Sequence, residues 1–189
     1  MKIDKFSYKF DYVLEKTIVL VGMMGAGKTT VGKILADRIG IQFVDADQEI
    51  ERAAGCTITD IFEKYGELEF RKGEERVISR ILAGEPCVLA TGGGAFMSHA
   101  TRLLIKKTAT SIWLRASFKV LAKRLEKRSD RPLLQTVDPQ QTLRALIDKR
   151  YPIYNRADLI VDAEDNGIDI TVSKVFECLG DYYYAKQSV

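Results

Sequence analysis

The sequence predicts an α/β fold built on a parallel sheet, and three observations carry that prediction. Short apolar runs bounded by turns alternate with longer amphipathic segments. The runs are near-continuous in apolar residues, as strands are when helices cover both faces of a sheet. A glycine-rich turn, Gly22 to Gly27, joins the first run to the first amphipathic segment. The 189 residues, 46% hydrophobic, fit one domain over residues 17–189, preceded by an extension over residues 1–16. A chain of this size buries roughly 70% of its unfolded surface, enough for a core without staples.

Taken in order, the predicted strands are Thr17–Val21, Ile41–Val44, Cys87–Ala90, Ser111–Leu114 and Leu159–Val161. The predicted helices are Lys28–Ile39, Gln48–Ala53, Gly66–Ala83, Ser98–Lys107, Ser117–Lys127, Pro139–Tyr154 and Asp169–Leu179. Gly40 stands just past the first helix, where a left-handed residue ends a helix most easily. Ser98 and Ser117 are suited to cap helix N-termini with their hydroxyls. Gly73 falls inside the third helix, at a cost of about 1 kcal/mol relative to alanine. The alternating Phe6, Tyr8, Phe10 and Tyr12, and the Tyr182–Tyr184 tail, read either as added edge structure or as surface packing.

Composition excludes several classes. Ample apolar content with a net charge of only +3 argues against disorder and against a dedicated nucleic-acid binder. Three cysteines without CxxC spacing read as reduced thiols, and a single histidine, His99, leaves no His-rich metal site. The longest apolar stretch, Thr17 to Ala26, is too short to span a membrane. The N-terminus lacks the apolar core of a signal peptide and is not acid-poor, so the expected location is the cytoplasm.

Gly22-Met23-Met24-Gly25-Ala26-Gly27-Lys28-Thr29 fits G-x-x-x-x-G-K-[ST], with a strand before it and a helix after. Backbone N–H groups of such a loop turn inward around phosphate oxygens, and the helix N-terminus adds its positive dipole end. Lys28 can reach the β- and γ-phosphates, Thr29 is a Mg²⁺ ligand, and Thr30 follows in the first helical turn. The motif establishes nucleotide binding without choosing between kinase, switch and motor. Asn155-Arg156-Ala157-Asp158 resembles a guanine-reading motif but precedes a strand, so it reads as a turn.

Asp45-Ala46-Asp47 closes the second strand, at the carboxyl edge where ligands of α/β sheets sit. One carboxylate could serve a Mg²⁺ water shell and the other could accept a hydroxyl proton. The same triplet also suits a plain strand-to-helix turn with Asp47 as the cap. Gly92-Gly93-Gly94 follows the third strand and lets another group approach the backbone closely. Arg71, Arg131 and Arg150 carry guanidinium forks suited to carboxylate or phosphate. Each of them alone reads as a solvated surface charge, and only their combination says more.

In that order and spacing, the P-loop, Asp-x-Asp, Glu69-Phe70-Arg71 with Glu74, Gly92-Gly93-Gly94, Arg131-Pro132-Leu133-Leu134 and Arg150-Tyr151-Pro152-Ile153-Tyr154 resemble the shikimate kinase family. The likeness spans about Thr17 to Val161. It implies a three-layer P-loop kinase fold with a five-stranded parallel sheet in order 2-3-1-4-5, helices on both faces and a mobile lid. It also implies phosphoryl transfer from MgATP to the 3-hydroxyl of shikimate, a step towards aromatic amino acids. The implied shikimate ligands are Asp47, Arg71, Gly92, Gly93, Gly94 and Arg150, with Phe62 and Phe70 as walls and Glu74 orienting the arginines. The implied ATP contacts are Gly25, Ala26, Gly27, Lys28, Thr29, Thr30, Arg124 and Arg131, with Arg124 on the adenine. Lys28, Asp47 and Arg131 would be catalytic, and Thr29 and Asp45 would serve Mg²⁺. The substrate-binding segment would run over about 46–74 and the lid over about 125–139. The partners expected are ATP and shikimate, with no nucleic acid, no membrane and a monomeric chain. A gluconate or nucleotide kinase of the same fold, or an ATP-binding regulator without turnover, remain as alternatives.

Charge is sorted along the chain. Residues 43–70 hold eight acids against two bases, and residues 115–131 hold seven bases against two acids. A basic lid arm suits a polyphosphate, so the expected anions are small ones held in a cleft.

Overall fold

The computed structural model describes residues 15–126, 136–165 and 167–187. Five strands form one sheet: β1 (Thr17–Val21), β2 (Gln42–Asp45), β3 (Cys87–Ala90), β4 (Ala109–Arg115) and β5 (Leu159–Asp162). Their order is β2-β3-β1-β4-β5, and every pairing is parallel. Seven helices lie around it among the described residues: α1 (Lys28–Ile39), α2 (Ala46–Ala54), α3 (Ile58–Leu82), α4 (His99–Thr108), α5 (Phe118–Leu125), α6 (Pro139–Tyr154) and α7 (Ile168–Gln187). This is the three-layer architecture expected, and the central strands show why. All of β1 is at most 4% exposed, and six of the seven β4 residues are buried, because helices cover both faces.

The helix starts are chemically marked. Ser98 and Ser117 accept from the backbone N–H of Thr101 (3.2 Å) and Val120 (3.4 Å), and Asp138 accepts from Gln141 (2.9 Å) ahead of Pro139. Gly40 ends α1 in the left-handed region at φ 71°. The 155–158 segment is a helix-to-strand turn, as predicted. Its Asp158 carboxylate accepts from both the backbone N–H and the hydroxyl of Ser111, at 2.8 and 2.6 Å.

Three expectations are corrected. The third helix begins at Ile58, eight residues before Gly66, because Thr57 and Asp60 form a reciprocal capping box (3.1 and 3.0 Å). Gly66 then breaks it, with φ 77° and ψ 170°, a conformation that L side chains rarely adopt. The last helix runs past Leu179 to Gln187. The tyrosine tail is part of this helix, and Tyr183 shares a 3.0 Å hydrogen bond with Thr110. The aspartate that caps α2 is Asp45, whose carboxylate accepts from the Asp47 backbone N–H at 3.1 Å. Asp47 therefore lies in the first helical turn, which removes the plain-cap reading for its side chain. Residues 1–14 of the predicted 1–16 extension and most of the predicted lid, including Arg131, lie outside the described residues.

Candidate active site

Two clefts open along the carboxyl edge of the sheet. One, about 440 Å³, is lined by Gly25, Gly27, Lys28, Thr29, Thr30, Arg124, and Asp165, Gly167 and Ile168 after β5. The other, about 490 Å³, is lined by Phe62, Phe70, Arg71, Glu74, Gly92, Gly93, Gly94 and Arg150. Six residues line both: Met24, Thr29, Asp45, Asp47, Gly92 and Gly93. The two spaces thus meet at the paired aspartates and the end of the P-loop.

In the P-loop, Gly25 and Gly27 take φ of 81° and 95°. The Ala26 N–H donates to Met23 O at 3.1 Å, and its side chain sits in the core at 1% exposure rather than lining the cleft. Lys28 is 9% exposed, and its Nζ donates to Gly22 O and Met23 O, 2.9 Å each. The ammonium is held across the mouth of the loop. Thr29 Oγ1 donates to Asp45 Oδ2 at 2.9 Å, while Asp45 Oδ1 caps α2. One carboxylate therefore ties the start of α1 to the start of α2. Arg124 bridges the nucleotide cleft, donating to Gly25 O (3.2 Å) and Glu164 O (3.0 Å).

The second cleft is built on guanidinium chemistry. The Arg71 Nη1 donates to Glu74 Oε2 at 2.7 Å, and its Nη2 and Nε reach Glu67 Oε1 at 3.0 and 3.2 Å. Both acids lie one helical turn away, which is why the fork is fixed. The Glu74 side chain is only 2% exposed. Burial holds its carboxyl above the usual range, and the neighbouring Arg71 offsets only part of that rise. Arg150 is 5% exposed and approaches from α6, with Nη1 4.0 Å from Met23 Sδ. The Phe62 and Phe70 rings pack at 4.7 Å, and the Arg71 guanidinium stands 4.9 Å from the Phe70 centroid.

The glycine triplet is needed because these side chains occupy the space its own would take. A Cβ at Gly92 would stand 2.7 Å from Glu74 Oε1 and 2.9 Å from Asp47 Oδ1. At Gly93 it would stand 3.1 Å from Arg150 Nη1, and at Gly94 it would collide with the Arg71 guanidinium. Gly94→Ala is therefore expected to displace Arg71 and weaken binding of a carboxylate ligand about 10- to 100-fold, the worth of a hydrogen bond to a charged group. Isothermal titration checks this, and unchanged affinity would mean that Arg71 is not a ligand.

Sequence reasoning missed several residues here. The Tyr154 hydroxyl donates to Gly93 O, and burial raises its phenol to about 12, so it acts as a donor and not as a base. Glu67, which chelates Arg71, carries the readable signal of i, i+4 spacing. Asp165, Gly167 and Ile168 carry none, because only the fold brings the β5–α7 loop to the P-loop.

A P-loop that carries its lysine and threonine, opening onto a neighbouring cleft with one buried and one half-buried guanidinium group, defines a small-molecule kinase of the P-loop class. The shikimate kinase family model matches residues 24–180. Shikimate kinases from Bradyrhizobium diazoefficiens and Paramagnetospirillum magneticum are 51% and 50% identical, over 92% of this chain and 84% and 89% of theirs. The shikimate kinase from Acinetobacter baumannii in complex with shikimate superposes with a TM-score of 0.85 at 38% identity, covering 88% of this chain and 93% of that one. A gluconokinase from Sinorhizobium meliloti, 20% identical with a TM-score of 0.63, shares the fold. This chain belongs to the shikimate kinase family and is a phosphotransferase.

Proposed function

We propose that the chain transfers the γ-phosphoryl group of ATP to the 3-hydroxyl of shikimate, giving ADP and 3-phosphoshikimate. The observation that carries this is the shared wall of the two clefts, with Asp47 on it and two guanidinium groups beyond it. Arg71 and Arg150 hold the ring carboxylate by forked hydrogen bonds. Phe62 and Phe70 pack on the apolar ring edge. Asp47 orients the attacking hydroxyl and accepts its proton as the P–O bond to ADP breaks. Lys28 balances charge on the transferring group, and the loop N–H groups hold the phosphates. Arg131 is assigned to the lid over 125–139, which excludes water that would compete with the hydroxyl.

The donor set fits Mg²⁺. Thr29 and Asp45 present hard oxygens 2.9 Å apart, and no group of three or more His, Cys, Asp or Glu clusters for a metal among the described residues. Mg²⁺ favours such sparse sites, taking its other ligands from phosphate and water. Bound there it would neutralise phosphate charge, while Asp45 keeps α2 capped. The substrate segment over 46–74, the cytoplasmic location and the monomeric state are parts of the same reading. Both clefts are built within one chain, and no helix among the described residues is long and apolar enough to cross a membrane.

An acceptor screen tests the assignment. Purified protein with MgATP should release ADP only when shikimate is added, and phosphorus NMR should show the new ester. Turnover with gluconate or a nucleoside monophosphate instead would replace shikimate as the substrate.

A further inference from the structure

Phe70 has a second neighbourhood. Besides walling the substrate cleft, it lines another cleft of about 590 Å³ between α2 and α3. Ile50, Ile61, Phe70 and Val77, each at most 8% exposed, form an apolar cluster of their own that lines it. Arg76 and Arg80 also line it. Arg80 Nη2 meets Glu49 Oε2 at 3.2 Å. Arg76 donates through Nε to Lys72 O at 3.3 Å and makes no ion pair among the described residues. The one carboxylate in the lining, Glu69, is held 2.7 Å from Lys72 Nζ. The cleft is therefore apolar within and cationic at its edge.

Gly73 lines the same cleft, and nothing in the fold requires it to be glycine. Its φ is not positive, and an added Cβ would meet no atom within 4 Å. A glycine in mid-helix weakens the helix. What it leaves here is space, since a longer side chain at 73 would fill the cleft. The volume falls in the range of small-molecule sites. A flat apolar body matches the lining, and a carboxylate matches a guanidinium fork.

We propose that this cleft is a second ligand site, selective for an aryl carboxylate, and that its occupancy alters substrate binding through Phe70. The route is short: the Phe70 ring packs on Phe62 at 4.7 Å and carries the Arg71 guanidinium at 4.9 Å. A ligand against Phe70 biases the positions of both. The coupling rests on the shikimate reading above, whereas the binding does not.

The test titrates 2-naphthoate into the full chain by calorimetry, with shikimate saturating so that Arg71 and Arg150 are occupied. One saturable site is expected. Arg76→Gln should weaken it about tenfold or more, the worth of a charged hydrogen bond, and Gly73→Leu should abolish it. Arg76→Gln should keep kcat and the shikimate KM within about twofold when naphthoate is absent, as for surface changes away from a site. Naphthoate should protect Cys56, which lines the cleft, from iodoacetamide, and leave the rate at Cys178 on α7 unchanged. It should shift the shikimate KM of the wild type and not that of Gly73→Leu. No binding, or binding that shikimate displaces or that Gly73→Leu retains, overturns the site. Should Gly73→Leu fail to fold, Arg76→Gln and Cys56 protection decide. Binding with an unmoved KM overturns the coupling alone. An initial shikimate titration without heat would count against the shikimate reading and leave the naphthoate result standing.

Discussion

Lys28→Ala is expected to lower kcat by roughly 10²–10³-fold, the usual effect of deleting one preorganised charge from a transition state. Lys28 is 9% exposed and its ammonium is held by two loop carbonyls, so its position is set before any phosphate arrives. The same geometry predicts a fold penalty. Alanine leaves the Gly22 and Met23 carbonyls without this donor, at about 1–3 kcal/mol for each group left unsatisfied. Steady-state kinetics at saturating MgATP and shikimate, paired with thermal melting, separates the two effects. A lowered Tm with kcat intact would make Lys28 a clamp for the loop and nothing more.

Arg150→Ala is expected to raise the shikimate KM about 30-fold or more, since truncating one partner of a buried charge pair costs about 2–5 kcal/mol. Arg150→Lys should recover little of this, because an ammonium cannot reproduce the two parallel bonds of a fork. Arg71→Ala should differ in kind. Glu74 is 2% exposed and would lose its 2.7 Å partner, so that variant should also melt at a lower temperature. Kinetics and calorimetry on the three variants check the pattern. An unmoved KM in Arg150→Ala would place the ring carboxylate elsewhere.

Much of this site could be read from the sequence because its parts are local. The P-loop is a continuous motif, and its strand and helix flank it. The three central strands declare themselves as apolar runs, since a sheet covered on both faces has no polar side there. Asp45 and Asp47 were also visible, but their roles were not separable. Two carboxylates at i and i+2 look alike in sequence, and only the backbone decides which one caps α2. The first half of α3 is obscured in the sequence although Thr57 and Asp60 carry a capping-box pattern, because Gly66 reads as the helix boundary. What the sequence could not show was long-range. Tyr154 meets Gly93 across 61 positions, and Arg124 meets Gly25 across 99. No local pattern announces such pairs. Gly73 is the converse case: visible in the sequence as a misfit, it gained a meaning only from the empty space around it.

The wall of Met24, Thr29, Asp45, Asp47, Gly92 and Gly93 belongs to both clefts, and this bears on inhibitor design. With no protein layer between donor and acceptor, one molecule carrying both an adenosine polyphosphate and a ring carboxylate needs only a short tether. Once one head is seated, the other binds as an intramolecular event, at an effective concentration in the millimolar range for a short flexible link. Affinity then grows from connection rather than from added contacts, and it collapses as soon as the tether is too short to seat both ends.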